Sequence, residues 1–177
     1  MDNDSLSTPA ALDRPAPPFA LPDLDGDLHS LEDYLGKIVI LNFWSSECGW
    51  TERVDRELAP HLACWGADVA LLPIESNDNE RLEEVRRAAK ERALPTLLLD
   101  AGQSVADRYG AVTTPQFFVV DSAGVLRYRG AFDDVTFRQR TPTRAYLVPA
   151  VDALLAGAMP DPADTPAFGC TIVRYEE

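Results

Sequence analysis

Five short apolar runs, separated by charged or turn-rich stretches, set the rhythm of this chain. Residues 37–44 (Lys-Ile-Val-Ile-Leu-Asn-Phe-Trp) are almost continuously apolar and rich in β-branched side chains, which predicts a strand buried on both faces, as in a parallel sheet. Residues 69–74 predict a second buried strand and residues 96–100 a third. Residues 116–121 and 125–129 flank Ser122-Ala-Gly124 and predict a hairpin. Between these runs the period lengthens. Val54, Leu58, His61 and Leu62 recur at helical spacing within residues 51–64, where Pro60 predicts a kink. A charged helix is expected from Asn77 to about Arg92, a short one over 104–109 stopped by Gly110, and a last one over 144–155 ended by Gly157. Upstream, residues 19–26 read as a short strand running into an Asp25-Gly26 turn. Ser30-Leu-Glu-Asp33 reads as a capping box for a short helix that Gly36 ends. Residues 170–175 read as an added edge strand. Alternating units followed by a hairpin imply an α/β fold, a mixed central sheet with helices on both faces.

The 177 residues suit one domain. Proline and small polar residues mark 1–15 as a mobile leader, 16–157 as the domain and 158–177 as a C-terminal extension. A net charge of −13 repels nucleic acid and anionic membranes, so neither is an expected partner. No apolar run approaches the roughly 18 residues of a membrane span. The acidic start, Met-Asp-Asn-Asp-Ser, lacks the basic residues of a secretory signal, so a cytoplasmic location is expected if the chain naturally begins here. His29 and His61 have no ligand-like spacing, and there is no glycine-rich phosphate loop, so neither metal nor cofactor is expected.

Three cysteines, Cys48, Cys64 and Cys170, are too few and too odd in number for a disulfide scaffold. Cys48 directly follows a buried strand and precedes a helix. That is where open α/β folds carry their sites, and where unpaired N–H groups and the helix dipole favour a thiolate. Thr51, three residues on, sits where its hydroxyl reaches the sulfur. Glu47 and Glu52 oppose the thiolate, whereas Arg53 and Arg56 favour it. Trp44 is expected in the core and Trp50 exposed beside the sulfur. Cys64 lies sixteen residues beyond Cys48, roughly 24 Å along one helix, too far for a disulfide, and reads as structural. Asp133-Asp134 and Arg138-Gln-Arg140 share a loop and read either as a polar patch near the site or as a solvated face.

Phe43-Trp-Ser-Ser-Glu-Cys-Gly-Trp-Thr51 resembles the active-site turn of thioredoxin-like proteins. Thr113-Thr114-Pro115-Gln-Phe-Phe-Val-Val-Asp121 resembles their second signature, a threonine and cis-proline before a strand, and residues 124–130 resemble the strand pair that follows. Residues 16–156 are similar to the redoxin and peroxiredoxin-like (AhpC/TSA-type) branch, and 165–173 resemble a Gly-Cys tail of some members. The resemblance implies a thioredoxin fold and a thiol-dependent oxidoreductase. Cys48 would be the nucleophile, supported by Thr51 and Ser45, with Trp50, Thr114 and Pro115 at the substrate side.

Two departures bear on mechanism. The usual Cys-x-x-Cys is here Cys48-Gly-Trp-Thr51, so no disulfide closes within the turn. Cys170 is then the intrachain candidate to resolve an oxidised Cys48. In the peroxiredoxin pattern Pro-x-x-x-Thr-x-x-Cys, Leu41 and Ser45 stand at the proline and threonine positions, and Pro115 replaces the arginine of the later strand. Arg127, Arg129, Arg138, Arg140 and Arg144 are the cations available to substitute. Three readings follow: thiol–disulfide exchange through Cys48, a peroxidase with Cys48 oxidised and Cys170 resolving, or a non-catalytic binding or redox-sensing module. The implied partners are a thiol or disulfide substrate, or peroxide, and a thiol electron donor.

Overall fold

In the computed structural model, residues 9–174 are described. The first and longest apolar run becomes β3 (Ile38–Trp44), with every residue buried. It pairs in parallel with β4 (Val69–Glu75), from Ile38↔Val69 to Trp44↔Glu75. On its other side it pairs antiparallel with β7 (Gln116–Val120), from Val39↔Val120 to Phe43↔Gln116. β5 (Leu98–Leu99) and β8 (Leu126–Gly130) complete a five-stranded mixed sheet in the order β5-β4-β3-β7-β8. This is the thioredoxin fold that the resemblance implies.

The alternation along β3 sorts its side chains between two layers. Val39, Leu41 and Phe43 pack with Tyr109 of α3 (Ser104–Tyr109) and with Phe118. Ile38 and Ile40 pack on the opposite face with Val54 and Leu58 of α1 (Gly49–Trp65) and with Leu147 and Val151 of α4 (Leu147–Leu155). Trp44 is buried against Val85, Ala88 and Ala89 of α2 (Leu82–Glu91). Such side chains contribute about 1.5–3 kcal/mol each when fully buried, so the apolar runs hold the frame that carries the site. Upstream, β1 (Ala20–Pro22) and β2 (Leu28–Ser30) form a hairpin. The capping box is present, with Ser30 N donating to Asp33 Oδ2 at 2.8 Å, and the turn it opens is 3-10 rather than α. No helix among the described residues is long and apolar enough to cross a membrane.

Four expectations need correction. Residues 9–15 are not a mobile leader: Ala10 is 4% exposed, and the N–H groups of Ala10 and Asp13 donate to Arg108 O and Leu126 O, each at 2.9 Å. Residues 1–8 lie outside the described residues. The charged helix starts at Leu82, not Asn77: Asn77 N and Nδ2 bond the Glu75 carboxyl at 2.6 and 2.9 Å, and a turn follows at residues 78–79. The last helix starts at Leu147, not Arg144, since the Asp134 carboxylate takes the N–H groups of Thr143 and Arg144. The tail strand, β9 (Cys170–Thr171), does not extend the central sheet. It pairs antiparallel with β6 (Thr113–Thr114), as Thr113↔Thr171 and Thr114↔Cys170.

Candidate active site

Cys48 is the N-cap of α1, four residues past the end of β3. The intervening turn is clamped by two residues that follow β4 in the chain. The Glu80 carboxylate accepts hydrogen bonds from Ser45 Oγ, from Ser46 N at 2.8 Å and from Ser46 Oγ at 2.5 Å. Arg92 donates to Ser45 O at 3.2 Å and to Ser46 O at 2.6 Å. Arg92 in turn lies 5.0 Å over the Trp44 ring and pairs with Asp55 at 3.3 Å. Asp55 also accepts from the Trp44 indole at 2.8 Å. Burial pushes the Asp55 carboxyl up, more than Trp44 and Arg92 pull it down. Glu75 is buried beside Glu80. Burial and that neighbouring carboxylate push it up to about 9, so it holds its proton at neutral pH.

The sulfur lies between this turn and the backbone of β6. Cys48 is 2% exposed, and its thiol donates to Thr114 O at 3.2 Å, immediately before the cis Thr114–Pro115 bond. The C-terminal chain lies across the same place. Ile172 is 2% exposed and its N–H donates to Val112 O at 3.0 Å, while Val173 N donates to Asn77 Oδ1 at 3.0 Å. Phe168 stands edge-on to Trp50 and Phe137, with centroids 5.1 and 4.8 Å away. Gly169 makes the closest approach. A Cβ there would meet Thr114 O at 2.0 Å and Thr114 C at 2.6 Å, so only glycine lets the tail lie on this backbone. The result is a cavity of about 190 Å³ lined by Cys48, Cys170, Ser45, Glu47, Glu80 and Thr114 among others.

Burial opposes ionisation of Cys48, but the Cys170 thiol, the Thr51 N–H and hydroxyl and the Cys170 N–H outweigh it, and the net effect is to lower the Cys48 pKa. Cys170 moves the opposite way, pushed up by partial burial and by the neighbouring Cys48 thiolate. Thr51 is fully buried, and its hydroxyl has no acceptor among the described residues apart from the Cys48 sulfur. Ionisation makes that sulfur a stronger acceptor. Thr51→Val is therefore expected to raise the Cys48 pKa, because about 1.5–3 kcal/mol of thiolate stabilisation goes with a hydrogen bond to a charged group. Ultraviolet thiolate absorbance against pH checks this. A lowered pKa favours the fold above the unfolded-state value and loses that contribution as pH falls through the native one. Below that pH, the variant should thus be at least as stable as the parent, because a buried hydroxyl with only a neutral thiol as acceptor is gone.

Residues 12–129 match the family model described as AhpC/TSA family. The chain belongs to the AhpC/TSA family. It is 32% identical over 124 residues to the thiol-disulfide oxidoreductase ResA of Geobacillus thermodenitrificans, covering 68% of this chain and 69% of that one. Among solved structures, it is similar to a hypothetical protein of Sinorhizobium meliloti 1021 (TM-score 0.85, 32% identity, 96% of this chain and 98% of the other). It is also similar to an uncharacterized conserved protein of Geobacillus kaustophilus (TM-score 0.86, 30% identity, 94% of each chain). Both superpositions run well beyond the family match, which ends before the tail that carries Cys170.

In this AhpC/TSA chain the structure gathers Cys48, Thr51, Thr114, Pro115 and Cys170 at one place. Ser45 lines the cavity, but its hydroxyl is turned to Glu80. Trp50 is half-buried, not open beside the sulfur, because Phe137 and Phe168 pack on its ring. Arg53 is committed to Asp133 and Glu57, Arg127 to Asp121 and Asp13, and Arg129 to Asp164. None of the arginines expected to substitute lines the cavity. The Asp133-Asp134 loop is structural: Asp133 holds Arg53 and the Val135 N–H. Cys64 is exposed on α1. The sequence reading missed Glu80, Arg92, Asp55 and Asn77. For Asp55 a signal exists: it falls in the buried stripe Thr51, Val54, Asp55, Leu58, where an isolated carboxylate needs a partner.

Proposed function

We propose that the chain is a two-cysteine thiol–disulfide oxidoreductase in which Cys48 is the nucleophile and Cys170, carried by the C-terminal tail, is the resolving thiol. The observation that carries this reading is the register Thr114↔Cys170, which sets the tail thiol in the same cavity as Cys48. Oxidoreductase chemistry fits the family and the named relative, ResA. The Cys48 thiolate attacks one sulfur of a small disulfide. A Cys48 mixed disulfide forms, and the other half leaves as a thiolate. Cys170 then loses its proton and attacks Cys48 Sγ. The Cys48–Cys170 bond forms, and the second half leaves. Two electrons have passed from the protein to the substrate.

The test uses reduced Cys64→Ala chain, so that the exposed third thiol does not react, and one equivalent of an aromatic disulfide whose released thiol is coloured. Expected are two released thiols per chain, a mass lower by two hydrogens and a cross-linked peptide joining Cys48 to Cys170. The Cys170→Ser variant should stop at a stable mixed disulfide on Cys48. A parent chain that also stops there overturns the resolving role.

A second reading is favoured by one observation. Cys48 is 2% exposed in a small cavity, which admits a peroxide more readily than a protein disulfide. Peroxide would oxidise Cys48 to a sulfenic acid, and Cys170 would condense with it, releasing water. Oxidation by stoichiometric peroxide that outpaces oxidation by the disulfide selects this reading. Slower oxidation selects the first.

A further inference from the structure

The β1–β2 hairpin and the 3-10 turn after it bring three polar side chains into line, none of which lines the cysteine cavity. Asp23 follows β1, His29 lies in β2, and Tyr34 ends the turn over Leu31–Tyr34. Asp23 Oδ2 is 2.8 Å from His29 Nε2, and His29 Nδ1 is 2.7 Å from the Tyr34 hydroxyl. The bonding directions follow from charge. The His29 hydrogen bond, helped by the Asp25 and Asp27 N–H groups, holds the Asp23 carboxyl below the usual carboxylate range. Asp23 is therefore an acceptor at neutral pH, and His29 Nε2 carries the proton. In a neutral imidazole the other nitrogen then has only a lone pair, so Tyr34 donates to Nδ1. Both distances lie within reach of direct proton transfer, about 2.6–3.2 Å. Burial, and then the Asp33 and Asp23 charges, push the Tyr34 pKa up, so the phenol does not ionise by itself at neutral pH. All three side chains are partly buried, and Tyr34 packs against the core layer of Val39, Leu41 and Phe43. Among the described residues it is the one tyrosine bonded to a nitrogen base. Tyr109 and Tyr128 donate instead to the carbonyls of Pro17 and Ala131.

We infer that Tyr34 is a one-electron redox site, a phenol that gives an electron to a one-electron oxidant while its proton moves to His29. Loss of the electron alone would leave a phenol radical cation, a charged species in a partly buried place. Loss of the proton in the same step leaves a neutral radical. The Tyr34 O–H bond breaks, the electron goes to the oxidant, and the proton passes to His29 Nδ1. The products are a neutral tyrosyl radical, an imidazolium and the oxidant reduced by one electron. Asp23 already holds His29 Nε2 and receives the new charge as an ion pair. An external thiolate that returns one electron becomes a thiyl radical, and the same proton moves back to the Tyr34 oxygen. The site then cycles with no net loss of protons. The inference is independent of the Cys48–Cys170 disulfide. A disulfide pair exchanges two electrons, so Tyr34 adds a route to oxidants that take one.

The experiment uses the full chain and the ruthenium(III) tris-bipyridine cation as oxidant, generated by a light flash with a cobalt(III) ammine as electron acceptor. The parent chain should give the narrow absorbance band and the paramagnetic resonance signal of a tyrosyl radical, formed more slowly in heavy water than in light water. Tyr34→Phe should remove most of that signal. His29→Gln keeps a hydrogen-bonding amide but no base. It should slow radical formation by on the order of a hundredfold, the lower end of what a positioned base contributes, with an unchanged circular dichroism spectrum. A tyrosyl signal undiminished in Tyr34→Phe, or a broad tryptophan radical in its place in the parent, overturns the inference. So does an unchanged rate in a folded His29→Gln chain. If that substitution disturbs the hairpin, the parent chain still decides: equal rates in light and heavy water mean that the proton does not move with the electron, and the inference fails.

Discussion

Cys48→Ser is expected to lower kcat/KM for a disulfide or peroxide substrate by on the order of a thousandfold or more while leaving the fold intact or slightly firmer. Both halves follow from the same position. A serine hydroxyl stays protonated at neutral pH, whereas hydrogen bonds from Cys170 and Thr51 lower the pKa of the cysteine, and removal of a nucleophile forfeits nearly all of its chemistry. Cys48 is also the N-cap of α1, with its sulfur beside the Thr51 N–H. Serine is among the preferred N-cap residues, with caps typically contributing ~1 kcal/mol. Loss of turnover with an unchanged or raised melting temperature is therefore the expected pair of results. Retained turnover in this variant removes Cys48 from the chemistry, and lost turnover with a collapsed melting temperature leaves only a structural role.

Gly169→Ala is the second large effect. The added methyl would lie 2.0 Å from Thr114 O and 2.6 Å from Thr114 C. Those are backbone atoms of the segment that accepts the Cys48 thiol hydrogen bond, so they have little freedom to yield. The tail must lift instead, and with it Cys170. A displacement near 1 Å between reacting groups costs about a hundredfold in rate, so closure of the Cys48–Cys170 bond should slow by about that factor. Alkylation of Cys48 should become faster as its cover lifts. Stability should fall by about 1–3 kcal/mol, the usual cost of overpacking. Rapid-mixing measurements of Trp50 fluorescence suit the test, because Phe168 packs on that ring one residue before the substitution. Closure at the parent rate, with Cys48 still protected, contradicts the placement of the tail.

The same tail marks the boundary between what local sequence reveals and what it hides. The buried run 38–44 and the helical spacing of Val54 and Leu58 were legible because each pattern repeats within a few residues, and they place Cys48 at a strand end and helix start with no further information. The cis form at Pro115 was carried by the resemblance, not by the residues. The segment 9–15 reads as part of a mobile leader, because proline and small side chains are common to mobile leaders and to chain that packs flat. Only the carbonyls of Arg108 and Leu126, supplied from afar, distinguish the two. Glu80 and Arg92 were invisible for a related reason. Both lie in a charged stretch with an ordinary surface composition, and their role comes from hydrogen bonds to the Ser45-Ser46 turn, more than thirty residues away.

The amino-acid order alone thus determined the central strands, the presence of the helices between them, the location of one sulfur at a helix start and the lack of a second in the same turn. These depend on hydrophobic period, turn residues and the end of a helix, all of them local. Tertiary structure decided that Cys170, 122 positions away, meets that sulfur, and that the deeper thiol is the one favoured as an anion. Contacts at such separation carry no periodic signal. They arise from strand pairing at Thr114 and from one glycine that allows two backbones to touch.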